Sequence, residues 1–186
     1  MTDPVDVRAD LLAHLRERAV RTDGPFTLRS GAVSDWYIDA RQTTYDGEGA
    51  RLLGEVVAAE LDEAVQAIGG LTMGADPIAV ATAIAAAGHG RTLRAFSIRK
   101  AAKDHGTGGR LVGPVNAGNV VAIVDDTVTT GGALTEAIEV AEAAGLQVAQ
   151  VLALVDRSGG EVERRVAAVG HRFRALIAVH ELGVKT

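Results

Sequence analysis

The chain has 186 residues, of which 47% are hydrophobic and 23% charged. This length and composition predict one globular domain and argue against a disordered chain or a coiled rod. With 24 acidic and 19 basic residues the net charge is -5, so we expect no nonspecific nucleic-acid binding. The lack of cysteine excludes disulfides, thiolate catalysis and Cys-ligated metals. We expect neither a secretory signal nor a membrane span, and a cytoplasmic location fits this composition.

The N-terminal third predicts two helices around a region of short strands. Apolar residues recur at three- and four-residue spacing over 4–21, which is typical of an amphipathic helix ending at Thr22. Small strands or a hairpin are expected over 26–40, and a helix over 46–61 with Asp46 as its N-cap. We interpret residues 1–60 as an appendage packed on a core formed by 61–186, the two together making one domain.

From residue 61 onward, short apolar runs alternate with helical patterns. The predicted strands cover 64–71, 92–98, 120–124, 148–155 and 174–179, and the predicted helices cover 77–87, 132–144 and 160–169. This alternation predicts an α/β fold with about five parallel strands, flanked by helices on both faces. Ligands of such sheets bind beyond the carboxyl ends of the strands. The candidate loops are therefore 72–77, 99–113, 125–132 and 156–160.

The strongest functional signal is the run VVAIVDDTVTTGG over 120–132. Two carboxylates, Asp125 and Asp126, follow a buried strand and precede a small, hydroxyl-rich segment: Thr127, Val128, Thr129, Thr130, Gly131, Gly132 and Ala133. Such a segment at a helix N-terminus is a phosphate cradle, because backbone N–H groups and hydroxyls can all donate to an anion. The carboxylates would repel a bare phosphate, so they address sugar hydroxyls or a magnesium ion on the same ligand. A plain strand–turn–helix junction would explain one capping acid but not two.

This segment resembles the PRPP-binding motif of the type I phosphoribosyltransferases. A second segment, RKAAKDHGTGG over 99–109, is similar to the mobile catalytic loop of the orotate phosphoribosyltransferases within that group. Taken alone, a basic run that ends in glycines is typical of a solvated flexible loop. The resemblance implies that Arg99, Lys100, Lys103 and His105 bind the pyrophosphate of PRPP. It also implies that Lys100, Lys103 and His105 act in catalysis together with Asp125 and Asp126.

Two further segments fit the same family. FTLRSG over 26–31, followed by SDWYID over 34–39, is similar to the N-terminal hood of these enzymes, so Arg29 is expected near orotate. DRSGG over 156–160 follows a strand, and the resemblance implies that Arg157 and Thr129 contact orotate. A guanidinium at a strand end can bind a planar carboxylate in a bidentate way. A surface Asp–Arg turn is the structural alternative.

One segment departs from the commoner family pattern. GLTMGADP over 70–77 occupies the place where many members carry Tyr-Lys-Gly, and it has no lysine. It resembles a Gly-Ala-Asp-Pro version found in another branch. Pyrophosphate binding is therefore expected to depend more on backbone donors and on the mobile loop.

The resemblance covers nearly the whole chain. It implies a pentosyltransferase that transfers ribose 5-phosphate from PRPP to orotate during de novo UMP synthesis. Mg²⁺ would arrive on the PRPP pyrophosphate, so no metal ligand of the protein is expected. The implied partners are the two small substrates and a second copy of the chain, whose mobile loop acts in trans, with no nucleic acid or membrane.

Two alternative functions remain at this point. A purine phosphoribosyltransferase would keep the Asp-Asp-Thr loop but has no reason to carry the basic segment after Arg99. A PRPP-sensing transcriptional regulator would usually add a helix-turn-helix or a basic face. The remaining histidines, which show no ligand spacing, are interpreted as structural: His14, His89, His171 and His180.

Overall fold

The computed structural model describes residues 4–27, 31, 33–101 and 109–184. The predictions made for Arg29, Lys103 and His105 fall on residues outside these ranges.

The N-terminal helix is shorter than predicted. It consists of α1 (Pro4–His14) and a π-helical turn (Leu15–Ala19), and its residues Leu11, Leu15 and Ala19 are buried. Val20 then adopts an extended backbone, because β1 (Val20–Arg21) pairs antiparallel with β4 (Tyr37–Ile38). Pairing with a distant segment therefore overrides the helical pattern of the last two residues.

The region between the predicted helices forms two small antiparallel pairs, as expected. The second pair joins β2 (Phe26–Thr27) to β3 (Val33–Ser34). A short helix that the sequence pattern missed, α2 (Arg41–Thr44), precedes α3 (Gly47–Glu60). Asp46 is the N-cap of α3, since its Oδ1 accepts hydrogen bonds from the backbone N–H groups of Glu48 and Gly49, both at 3.0 Å.

The remaining chain builds one six-stranded sheet in the order β10-β9-β8-β5-β6-β7. In chain order, the strands of this sheet and the helices between them are β5 (Ala67–Leu71), α4 (Ala75–Gly88), β6 (Arg94–Ile98), β7 (Leu111–Val112), β8 (Val120–Val128), α5 (Gly132–Ala143), β9 (Gln147–Asp156), α6 (Glu161–Ala168) and β10 (Phe173–Ala178), followed by a 3₁₀ turn (Val179–Leu182). Five strands are parallel, which confirms the predicted sheet, and β7 adds an antiparallel edge strand. The pattern missed β7 because a two-residue pairing leaves almost no periodic signal.

Side chains alternate along the strands between two buried clusters, one on each face of the sheet. Ala122 and Val124 of β8 face the cluster to which α1, α3 and α4 contribute. Val121 and Ile123 face the cluster built with α5 and α6. Both faces are therefore covered, as near-continuous apolar strands require.

Strand β8 runs four residues beyond its predicted end at Val124. The ladder to β9 continues through Thr127 opposite Val155 and Val128 opposite Asp156, so the two acids lie within the strand. Within the described part of the chain, no helix is long and apolar enough to cross a lipid bilayer.

Candidate active site

The acid pair lies at the carboxyl end of the central strand β8. The backbone N–H of Asp126 donates to Asp125 Oδ1 at 3.0 Å, and the N–H of Thr127 donates to Asp126 Oδ1 at 2.6 Å. Burial, reinforced by the neighbouring Asp126, raises the pKa of Asp125 to about 7, while the positive charge of Lys100 opposes that rise. Burial also raises the pKa of Asp126, against the Thr127 hydrogen bond and the charge of Arg41. The protein therefore holds two partly desolvated carboxyls beside two cations.

The turn that follows β5 lies directly on this pair. A Cβ atom on Gly74 would stand 2.6 Å from Asp125 Oδ1 and 2.9 Å from Asp126 Oδ1. Only a residue without a side chain permits so close an approach. The adjacent Asp76 accepts a hydrogen bond from the Ser97 hydroxyl at 2.6 Å, so this acid anchors the start of α4 to β6.

The predicted phosphate cradle is the loop between β8 and the N-terminus of α5. Gly131, the N-cap of α5, has a left-handed backbone (φ +74°) and supplies no capping side chain, so N–H groups of the first helical turn are left for a ligand. The Thr127 hydroxyl is buried and has no hydrogen-bond partner among the described residues. Arg165 of α6 donates to the carbonyl oxygen of Thr130 at 3.2 Å and supports the loop from behind. These features suit an anion with several oxygen atoms.

A cavity of about 670 Å³ opens beside this loop, with Thr129, Trp36 and Arg157 in its wall. The Arg157 guanidinium lies 4.4 Å from the centroid of the Trp36 ring. Burial lowers the pKa of Arg157, and no carboxylate of the described residues forms an ion pair with it. A half-buried cation without an anion suits a negatively charged ligand in the cavity.

The C-terminal 3₁₀ turn also borders this cavity, through Val179 and the following Gly183. It is tied to the N-terminal helix, because Arg8 donates to Glu181 at 2.7 Å and to the Leu176 carbonyl at 2.9 Å. Arg8 therefore helps to hold in place the turn that borders the cavity.

The described ends of the basic segment form the base of a hairpin. Arg99 N–H donates to the Arg110 carbonyl oxygen at 2.8 Å, and Arg110 Nε donates to the Arg99 carbonyl oxygen at 2.7 Å. Arg110 also pairs with Glu136 of α5. This base fixes where the segment leaves and rejoins the sheet, next to the acid pair.

The structure brings together several of the predicted site residues. Asp125 and Asp126 lie within electrostatic reach of Lys100 and Arg41 respectively, while Thr129 and Arg157 border the same cavity. Sequence reasoning gave no role to Trp36, Arg41 or Gly74. For Trp36 the available signal was its place in the hood segment, whereas nothing local in the sequence links Arg41 to an acid far along the chain.

The donor set fits a magnesium ion that is carried by a substrate. Two adjacent carboxylates can share such an ion with phosphate oxygens and water. Among residues 4–27, 31, 33–101 and 109–184, no group of three or more His, Cys, Asp or Glu side chains could enclose a metal.

Comparisons with known proteins identify the family. No family model matches the chain. A curated orotate phosphoribosyltransferase of Streptomyces avermitilis is 46% identical over 182 residues, covering 96% of this chain and 98% of the relative. The crystal structure of the Mycobacterium tuberculosis H37Rv orotate phosphoribosyltransferase with Fe(III) dicitrate matches with a TM-score of 0.84 and 35% identity, over 96% of this chain and 99% of that one. The PRPP complex of the same M. tuberculosis enzyme matches with a TM-score of 0.79 and 30% identity, at the same coverage.

These matches run along nearly the entire chain. They favour the orotate branch over a purine enzyme or a regulator, and they confirm the resemblance drawn from the motifs. The chain belongs to the orotate phosphoribosyltransferases, pentosyltransferases of the type I phosphoribosyltransferase fold.

Proposed function

We propose that this protein transfers the ribose 5-phosphate of PRPP to orotate, which gives orotidine 5'-phosphate and pyrophosphate in de novo UMP synthesis. The observation that carries the proposal is the Arg157 guanidinium, which stacks on Trp36 beside the phosphate cradle and forms no ion pair with any residue that the structure describes. Orotate differs from uracil by a carboxylate, and this guanidinium offers that group a bidentate partner.

Different residues of the site bind different parts of PRPP and orotate. Thr127 to Ala133 bind the 5'-phosphate of PRPP through the N–H groups and hydroxyls of the cradle. Asp125 and Asp126 face the ribose hydroxyls and the shell of the magnesium ion. Thr129 and Arg157 hold orotate, with Arg29 beside them.

The basic segment neutralises the leaving group. Lys100 is already within electrostatic reach of Asp125, and Arg99, Lys103 and His105 belong to the same segment. In a transition state that resembles an oxocarbenium ion, the acid pair stabilises the positive ribose while the segment stabilises the negative pyrophosphate. Mg²⁺, when bound, adds positive charge to the pyrophosphate side.

A substrate screen tests the function. Purified protein is mixed with PRPP and Mg²⁺, and orotate, uracil, adenine or guanine is added while the loss of base absorbance is followed. Turnover of orotate alone is expected, because uracil lacks the carboxylate and the purines leave Arg157 unpaired. Turnover of a purine at a comparable rate would overturn the proposal.

We also propose that the active unit is a cytoplasmic homodimer in which the part of the basic segment beyond Lys100 completes the partner's site. An apolar stripe on α4 supports a second copy. Val80 and Ile84, one turn apart, are 51% and 68% exposed, and Met73 just before the helix is 60% exposed. Exposed apolar side chains aligned in this way are typical of an interaction surface.

Mixed dimers test the exchange of segments. Lys103→Ala damages only the segment, whereas Asp125→Asn combined with Asp126→Asn damages only the acid pair. Co-refolding equal amounts should restore about a quarter of wild-type activity, because half of the dimers are mixed and half of their sites carry no lesion. No recovery, with mixed dimers verified by mass, would place Lys103 in its own subunit's site.

A further inference from the structure

The turn over the acid pair brings no positive charge to the site. Thr72, Met73 and Gly74 are all uncharged, and the Gly74 backbone lies against both carboxylates. An anionic group bound between this turn and the acids would meet two carboxyls on one side and only neutral groups on the other. A cation from elsewhere in the fold is needed there.

Arg41 lies on that side of the site. It is the first residue of α2, and it lines an open cavity of about 580 Å³ together with Asp39 and Met73 of the turn. Met73 adjoins Gly74, whose backbone lies against both carboxylates, so Arg41 lies beside a group that binds at the acid pair.

The Nε atom of Arg41 is hydrogen-bonded to the protein, whereas its terminal Nη atoms are available to a ligand. Arg41 Nε donates to Asp39 Oδ1 at 2.7 Å, which fixes the plane of the guanidinium. Its two terminal nitrogens make no hydrogen bond to any residue that the structure describes, and the side chain is 48% exposed. A guanidinium fixed through Nε presents its Nη groups to a phosphate as a preformed fork.

We propose that Arg41 binds the pyrophosphate group of PRPP and supplies the positive charge that the turn over 72–74 lacks. This inference rests on the proposed function, since it assigns a further residue to the same reaction. Arg41 contacts the group that leaves, so it contributes to binding of PRPP in the forward direction and of pyrophosphate in the reverse direction. It does not contribute to binding of the base.

Steady-state kinetics in both directions test this role, using Arg41→Ala and Arg41→Lys. Arg51→Ala is the matched control, because Arg51 is likewise paired with a nearby carboxylate, donating to Glu48 through Nε and Nη2, and is 52% exposed. For Arg41→Ala the KM values of PRPP and pyrophosphate should rise roughly 10- to 100-fold, the loss of a charge-assisted hydrogen-bonded pair. The KM values of orotate and orotidine 5'-phosphate should stay within about twofold. Arg41→Lys should recover part of the loss, and Arg51→Ala should behave as wild type.

Other outcomes overturn the inference. Unchanged KM values for PRPP and pyrophosphate, or equal rises for all four substrates, would show that Arg41 only supports the fold. Thermal melts accompany the kinetics, and if Arg41→Ala does not fold, Arg41→Gln takes its place with the same expectation. An inactive wild type would instead defeat the proposed function, so the two failures are distinguishable.

Discussion

The buried Asp125 should make the protein less stable than it would be with a neutral side chain, and the size of this effect should depend on pH. Its pKa is about 7 in the folded protein against an ordinary value of 3.8. A carboxyl with a raised folded pKa binds its proton more tightly when folded. The contribution of Asp125 to stability is therefore most favourable at low pH and declines as the pH rises from about 4 to about 7.

The variant Asp125→Asn removes this titration and keeps an oxygen that can accept the Asp126 N–H. At 1.36 kcal/mol per pKa unit, Asp125 makes the wild type less stable than a permanently neutral side chain would by on the order of 4 kcal/mol at pH 8 and roughly 1.5 kcal/mol at pH 5. The stabilisation of the variant should therefore be larger at pH 8 than at pH 5 by about 2–3 kcal/mol. Any effect of the amide itself is common to both pH values and cancels.

Thermal melts or urea titrations without PRPP and Mg²⁺ measure this difference. For a chain of this size it corresponds to about 5–10 °C in Tm. Asp10→Asn, at an exposed position on α1, is the matched control and should change stability by less than about 0.5 kcal/mol at either pH. Equal stabilisation at pH 5 and pH 8, or a variant less stable than wild type at pH 8, would refute the reasoning. We expect Asp125→Asn to be nearly inactive throughout, since the stabilised protein has lost a carboxylate that we propose to face ribose.

Three further predictions concern the reaction. Lys103→Ala should lower kcat at least about a hundredfold, as loss of a charge that stabilises the leaving group does, and an unchanged kcat would remove Lys103 from the mechanism. Arg157→Ala should weaken orotate binding by roughly 2–3 kcal/mol while PRPP binding stays constant, measured by calorimetry; equal losses for both would contradict a carboxylate contact. Trp36→Ala should raise the KM of orotate severalfold, because the stacked ring contributes about 0.5–2 kcal/mol to holding Arg157, and Trp36→Phe should retain most of the wild-type value. A Trp36→Phe variant as impaired as Trp36→Ala would show that ring stacking is not what matters.

The sequence by itself determined the features that are local along the chain. Apolar runs of strand length separated by helical patterns required a covered parallel sheet, and all five predicted parallel strands are present. The acid pair and the cradle could be read directly, since both depend on consecutive residues at one strand-to-helix junction. The capping of α3 by Asp46 is also local along the chain, because the N–H groups that donate to Asp46 are only two and three residues away.

Tertiary structure alone decided the features that depend on distant partners. The helical pattern over 4–21 ended early and β8 ran past its predicted end, in each case because a strand from elsewhere in the chain pairs there. The turn at Gly74, the stacking of Trp36 on Arg157 and the charge of Arg41 beside Asp126 join residues from separate elements. The raised pKa of Asp125 has the same origin, because desolvation is set by the packing of the whole site and leaves no periodic or local trace in the sequence.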